Sequence, residues 1–186
     1  MTKEPVSVAE DENDVALILR AKKDPENFRP IYEKYYKKIF VFVLYRVGDK
    51  ALCADITSQV FLKALLNVAK FEYKGVPISA WLYRIALNEC NDFFRKSKRA
   101  RFVAIENSGI QNLHEGLTNE TRIEDLQQRL PVILAQLSPD ELHLLELRFF
   151  EQRPFKEVAN ILGITETYAK VKVYRLLDKM KTLFLK

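Results

Sequence analysis

Four hydrogen-bonding side chains recur at helical spacing near the middle of the sequence. They are Arg84, Asn88, Asn91 and Arg95, separated by four, three and four positions. Residues at these intervals stack along one face of an α-helix. Asparagine amides pair with base edges and arginines bind phosphates, so the pattern predicts a track for unpaired nucleic acid.

The residues on either side of this track suit the same chemistry. The preceding loop offers Phe71 and Tyr73 as stacking surfaces, and Lys74 follows them. Behind the track lies a basic cluster without any acidic residue, made of Arg95, Lys96, Lys98, Arg99 and Arg101. Trp81 is a further aromatic, but a single tryptophan in an apolar helix is more often a core residue.

A helix-turn-helix pattern closes the chain. Its two helices are predicted over about 154–162 and 165–183, with Gly163 in the tight turn and Thr165 as the cap of the second helix. Ala159 is small where the two helices must cross. Basic and polar residues on the second helix suit a major groove, although an ordinary helical hairpin with a soluble face would show a similar pattern.

A third helix mixes polar and apolar residues on several faces. Asp55, Gln59, Phe61, Leu62 and Leu65 lie along it. This pattern fits either docking of a partner protein or burial within the same domain.

The elements that must position these residues are all helical. Only five glycines occur in 186 residues, and apolar residues recur every three to four positions almost throughout. In the first half, helices are predicted over 14–22, from Asp24-Pro25 to Gly48, over 50–68, and over 80–101 with Ser79 as the N-cap. In the second half, two helices are predicted between Leu126 and Phe149, followed by the final pair.

The helical pattern fails from Val103 to Thr121, where Asn, Ser, Gly, Glu and Thr accumulate. We therefore predict two small helical domains joined by an irregular linker. The predicted divisions are an N-terminal tail over 1–13, a first domain over 14–102, an acidic linker over 103–123 and a second domain over 124–186.

Charge and composition narrow the function classes. The net charge of +5 is concentrated in two basic zones on either side of the acidic segment, which favours two polyanion-binding surfaces over merely solvated helix faces. No run looks long or apolar enough to span a bilayer, and the acidic N-terminus is unlike a signal peptide, so we expect a cytoplasmic protein without membrane insertion. Cys53, Cys90, His114 and His143 lack metal-ligand spacing, and we expect no metal, cofactor or catalytic residue.

Three runs in this order resemble extracytoplasmic-function (ECF) sigma factors of RNA polymerase. Residues 54–64 look like their conserved region two helix, 81–88 resemble the next signature, and 157–164 resemble the start of the region four helix-turn-helix. Residues 137–139 and 144–148 are similar to the helix that opens region four. The likeness extends from about Asp14 to the C-terminus.

The resemblance implies a non-enzymatic subunit that binds core RNA polymerase, through its clamp and flap, and promoter DNA. It implies contacts with the clamp by Asp55, Gln59, Phe61 and Leu62. It implies recognition of the minus-ten element by Phe71, Tyr73, Lys74, Arg84, Asn88, Asn91, Arg95, Lys98 and Arg99. For the minus-thirty-five duplex, the implied residues are Arg153, Thr165, Glu166, Thr167, Tyr168, Lys170, Lys172 and Arg175. It further implies an anti-sigma factor as a partner and a linker that threads toward the active-site channel.

The sequence departs from the family pattern at the helix-turn-helix. Pro154 stands where a capping Ser or Thr is common, and Thr167, Tyr168 and Val171 replace the usual small residues. These differences predict an unusual promoter preference. A conventional helix-turn-helix regulator remains the alternative, and it predicts DNA binding without stable polymerase association.

Overall fold

Helices form every regular element that can be described in this chain. The computed structural model describes residues 8–73, 75, 77–97, 107–117 and 123–184, with the backbone alone for 8–13 and 107–108. Within these ranges no strand occurs, and the predicted all-α class is confirmed. Contacts between Cα atoms divide the chain into unit 1, Met1–Ala104, and unit 2, Ile105–Lys186.

The described part of unit 1 contains four α-helices and two short 3-10 turns. The helices are α1 (Val8–Lys23), α2 (Arg29–Val47), α3 (Lys50–Asn67) and α4 (Ile78–Ser97), and the turns are Pro25–Phe28 and Val68–Lys70. Gly48 ends α2 in the left-handed region with φ of 73°, and the Asp49 carboxylate then accepts hydrogen bonds from the first backbone N–H groups of α3.

The core of unit 1 lies where α2, α3 and α4 pack against one another. Its fully buried side chains include Ile31, Ile39, Phe42, Val43, Cys53, Val60, Ala64, Leu82 and Ala86. α1 is fastened to α2 by polar contacts, since the buried Asp14 carboxylate accepts a hydrogen bond from the Tyr35 hydroxyl and lies 2.6 Å from Lys34 Nζ.

Two expectations for unit 1 are wrong. α4 begins at Ile78, so Ser79 lies buried within the first turn instead of capping it. The expectation that no run is long and apolar enough to span a bilayer is also wrong, because the segment Lys50–Lys70, with a mean hydropathy of 1.3, meets that criterion by length and composition alone. Its apolar side chains Cys53, Val60 and Ala64 lie in the core, because a helix that packs between two others must be apolar on more than one face.

Unit 2 contains five α-helices within the described residues. They are α5 (Asn107–Leu117), α6 (Ile123–Leu134), α7 (Pro139–Leu145), α8 (Phe155–Leu162) and α9 (Glu166–Phe184). A single π-helical turn, Glu146–Phe150, continues α7. Ser138 caps α7 through a capping box with Glu141.

α5 overturns part of the expected irregular linker. Ile110, Leu113 and Leu117 are buried, so this helix contributes to the core of unit 2. A Cβ built at Gly109 would lie 2.3 Å from Cδ1 of Phe150, and one at Gly116 would lie 2.9 Å from Cε1 of Phe149. Both glycines allow this close approach, and so they support the packing of α5. In the sequence they had indicated a loop, because glycine usually breaks a helix.

Candidate nucleic-acid interface

The outer face of α3 carries a mixed polar and apolar stripe. Asp55, Gln59 and Leu62, three of the residues that the resemblance assigns to the clamp, are exposed on it. Leu66 extends the stripe one turn further with 69% exposure. Leu66 was not among the predicted residues, although its spacing of four from Leu62 places it on the same helix face. Leu62 and Leu66 thus form an exposed apolar pair, one turn apart, on this face of α3.

Phe61 does not lie on this surface. Its side chain is buried, with its ring centroid 4.9 Å from that of Tyr32 and 6.1 Å from that of Tyr36. Its role is to support the α3 stripe from beneath, because it anchors α3 to α2.

The predicted track on α4 is a continuous exposed face. Arg84, Asn88, Asn91 and Arg95 are all exposed, whereas the opposite side of the helix is buried in the core through Leu82 and its neighbours. Arg95 Nη2 lies 2.8 Å from the carboxylate of Asp92, an exposed pair that leaves the guanidinium at the surface. The amphipathic pattern thus positions amide and guanidinium groups toward solvent over three turns.

A cavity of about 610 Å³ opens beside this track, between the end of α3 and α4. Its lining combines aromatic rings with amides and charges: Lys63, Asn67, Lys70, Phe71, Trp81, Ile85, Asn88, Glu89, Asn91 and Asp92. Such a lining offers a wall for stacking and several hydrogen-bonding groups for the edge of a planar ring. Lys63 and Asn67 of α3, which line this cavity, were not predicted from the sequence.

The aromatic residues before α4 divide into two roles. The ring of Phe71 is buried, with its centroid 5.0 Å from that of Trp81, and together these rings form an apolar wall of the cavity. Tyr73 is 49% exposed and is the one of the two predicted stacking residues that solvent reaches. The other residues predicted for this site, Lys74, Lys98 and Arg99, lie outside the described residues.

The helix-turn-helix forms in unit 2 as predicted. Gly163 adopts the left-handed conformation with φ of 69°, which lets the N–H of Ile164 donate to the carbonyl of Ala159. The Thr165 hydroxyl accepts a hydrogen bond from the N–H of Tyr168, which confirms the predicted cap of α9. Val158 is fully buried between the two helices.

The predicted duplex-binding residues of α9 share its exposed side. Thr165, Glu166, Thr167, Tyr168, Lys170 and Arg175 are exposed, and Lys172 is half-buried. Val171 and Tyr174, absent from the predicted set, lie on the same side of the helix.

Arg153 stands apart from the other predicted duplex-binding residues. Its guanidinium lies 3.1 Å from Glu157 and 3.9 Å from Glu151, and only 14% of its side chain is exposed. Its backbone carbonyl accepts a hydrogen bond from Arg148. These contacts assign Arg153 to the support of α8, a role that its charge alone did not reveal.

A groove between α7 and α9 borders this surface. Lys179 Nζ lies 2.8 Å from both carboxylate oxygens of Glu141, which also accepts from the N–H of Ser138. Partial burial would raise the pKa of Glu141, but the hydrogen bonds from Lys179 and Ser138 outweigh it and hold that pKa below its ordinary value.

Comparisons with known proteins match each unit to a protein family. The family model for Sigma-70 region 2 matches residues 31–100, and the one for Sigma-70, region 4 matches residues 133–182. The ECF RNA polymerase sigma factor BldN of Streptomyces coelicolor is 28% identical over 181 residues, which cover 92% of this chain and 66% of that protein. The chain thus spans just under two thirds of that relative.

Two further comparisons agree with these matches. The ECF RNA polymerase sigma factor SigM of Bacillus subtilis is 24% identical over 156 residues, which cover 83% of this chain and 93% of that protein. The structure of CnrH in complex with the cytosolic domain of CnrY shares the fold with a TM-score of 0.59 at 18% identity, covering 91% of this chain and 96% of that chain.

Proposed function

The chain belongs to the sigma-70 family of RNA polymerase sigma factors, as a member of the ECF type, and we propose that it directs core polymerase to specific promoters and opens their DNA. Proteins of this family are transcription initiation factors and not enzymes. Their work on DNA makes and breaks no covalent bond. Binding of extruded bases offsets the cost of unpairing, which is a few kcal/mol for a base.

We assign polymerase binding to the α3 stripe. Asp55, Gln59, Leu62 and Leu66 share this exposed face, and the two leucines would be covered by a protein partner such as the polymerase clamp. Phe61 acts indirectly by holding α3 in place. Leu62 and Leu66 are therefore the residues whose change to a charge should weaken association most.

We assign the unpaired minus-ten strand to α4 and the adjacent cavity. The single observation that supports this role best is the exposed Arg84 to Arg95 track beside a cavity with an aromatic wall and an amide lining. Bases would stack near Tyr73 and meet Asn88 and Asn91, while the arginines bind the backbone. A conventional regulator needs no such site, so this observation separates the two functions.

We assign the minus-thirty-five duplex to α9. Its exposed side carries Lys170 and Arg175 for phosphates and base edges, and the helix-turn-helix geometry presents its first turns to a major groove. Arg153 is excluded from this set because it is paired with acidic groups at the start of α8.

CnrH is found in complex with the cytosolic domain of CnrY, and we propose that this chain likewise has a protein partner, an anti-sigma factor that covers its polymerase-binding stripe in the cytoplasm. Threading of the linker through the polymerase would require α5 to leave its buried position, since Leu113 is fully buried in unit 2.

The test is co-purification with bacterial core RNA polymerase followed by run-off transcription over a promoter library. We expect stable association and promoter-selective initiation, and we expect Leu62→Asp with Leu66→Asp to abolish both. Val132→Asp is the control, because Val132 is an apolar residue on α6 of unit 2 whose exposure of 65% lies between those of Leu62 and Leu66. DNA binding without polymerase association would instead establish a conventional regulator.

A further inference from the structure

The centre of the exposed side of α9 is apolar. Val171 is 39% exposed there, with Thr167 and Tyr168 on the preceding turn and Tyr174 and Arg175 on the following turn. Neighbours at three and four positions surround a residue on a helix surface, so Val171 stands in the middle of this group. The isopropyl group of Val171 therefore lies at the centre of the exposed surface formed by the first two turns of α9.

The cations of these turns are held beside this centre. Lys170 Nζ lies 2.8 Å from the Glu166 carboxylate, and Lys172 Nζ lies 4.9 Å from the centre of the Tyr168 ring. Both ammonium groups are thus drawn toward partners along α9 instead of projecting past Val171. They remain available to phosphates along the edges of a groove.

The chemistry of the major groove says what such a centre recognises. Guanine is read by Arg or Lys, adenine by Asn or Gln, and cytosine by Asp or Glu, whereas an apolar side chain contacts the C5-methyl group of thymine. Val171 has no hydrogen-bonding side-chain atom, so the methyl group of thymine is the only one of these base features with which it can make a favourable contact.

We propose that Val171 selects a thymine in the minus-thirty-five duplex through contact with its C5-methyl group. The inference rests on the proposed function, because it takes α9 as the helix that enters the major groove. Beyond the proposed function, it names the base that α9 prefers at one position of the duplex and the residue that causes this preference. Arg175, one turn later, addresses a neighbouring base pair or phosphate.

The test uses the holoenzyme, formed from the full chain and core polymerase, on a promoter that it selects from a library randomised in the upstream duplex. Each thymine of that duplex is replaced singly by deoxyuridine, which lacks only the methyl group. At one position we expect about fourfold weaker binding, the loss expected for one buried methyl-sized group. This loss should shrink in Val171→Ala, because the two γ-methyl groups of valine are removed while alanine preserves the helix.

Val132→Ala provides the matched control, since it makes the same change at a 65% exposed position of α6 and should retain the full deoxyuridine effect. An equal deoxyuridine effect in Val171→Ala would overturn the inference. So would promoter selection with no deoxyuridine effect at any position, and in both cases the proposed function would stand. Failure of the unaltered holoenzyme to select any promoter would overturn the proposed function as well.

Discussion

The guanidinium of Arg153 is paired with the carboxylate of Glu157 at 3.1 Å, and both side chains are largely buried where α8 begins. Arg153→Ala would leave that carboxylate without its cation. We expect this change to lower the free energy of unfolding by about 3 kcal/mol, as found when one partner of a buried ion pair is removed. Urea denaturation of the full chain measures this loss.

Lys170→Ala is the control for Arg153→Ala, since it removes the same charge from an exposed pair. It should change the free energy of unfolding by no more than about 0.5 kcal/mol. A stable Arg153→Ala variant with weakened duplex binding would return Arg153 to the DNA-contacting set.

Lys170→Ala combined with Arg175→Ala should weaken binding to duplex minus-thirty-five DNA and leave polymerase association intact. If both cations neutralise phosphates, the slope of log affinity against log salt concentration should fall by about 2. Lys23→Ala with Lys37→Ala removes the same net charge from exposed positions of α1 and α2 and should preserve the slope. Loss of polymerase association in the first variant would mean that the roles of the two units are misassigned.

Asn88→Ala should impair strand opening more than duplex binding. Asn88 is exposed on α4 and lines the cavity, where its amide would pair with an extruded base. The population of open complex, followed by permanganate reactivity of unpaired thymines, should fall about tenfold, the scale of one good base contact. An equal fall in duplex binding would remove the case for the single-strand track.

Gly109→Ala should destabilise unit 2, because the added Cβ would overlap the ring of Phe150. Overpacking of this kind costs about 1–3 kcal/mol and exceeds the gain in helix propensity. Gln111→Ala, on the exposed side of α5, is the control and should be nearly neutral. Phe150→Leu should relieve part of the loss in the double variant, and the absence of such coupling in urea denaturation would contradict the packing described.

The Glu141 to Lys179 pair should contribute to stability at neutral pH and lose its contribution in acid. Because hydrogen bonds lower the pKa of Glu141 in the folded chain, the contribution is present above the ordinary glutamate pKa of about 4.3 and lost as pH falls through the folded value. Glu141→Gln should be less stable at pH 7, by no more than about 1 kcal/mol for a solvent-accessible pair.

The comparison of Glu141→Gln with the unaltered chain is repeated from pH 7 into the acid range. The difference in the free energy of unfolding should shrink toward zero as Glu141 protonates. A difference that stays constant with pH would show that Glu141 acts through packing alone.

Helical spacing was sufficient to predict the surfaces on α4 and α9. Arg84, Asn88, Asn91 and Arg95 recur every three to four positions, which places them on one face of a helix. Gly163 is a turn residue and Thr165 a helix cap, so both elements could be predicted from residues near each other in sequence. The spacing of Arg153 from Glu151 and Glu157, two and four positions away, allowed an ion pair but did not predict one, because the burial of the Arg153 side chain to 14% exposure depends on the fold. Phe61 and Phe71 were likewise assigned to a surface because their ring neighbours in the fold were unknown.

α5 was missed for a related reason. Its apolar residues Ile110, Leu113 and Leu117 are few, and Gly109 and Gly116 between them indicated a loop. Only the approach of Phe149 and Phe150 shows that the glycines are needed for packing, and that contact spans more than thirty positions of sequence.

The packing of α5 determines where two sigma factors of this type can be recombined. A hybrid joined at residue 123, where the sequence pattern suggests that the second domain begins, would combine α5 of one parent with Phe149 and Phe150 of the other. Leu113, which is fully buried, would then face a foreign surface. A junction before Asn107 takes α5, Phe149 and Phe150 from the same parent. The exchangeable module for promoter recognition therefore includes α5, although its sequence resembles a linker.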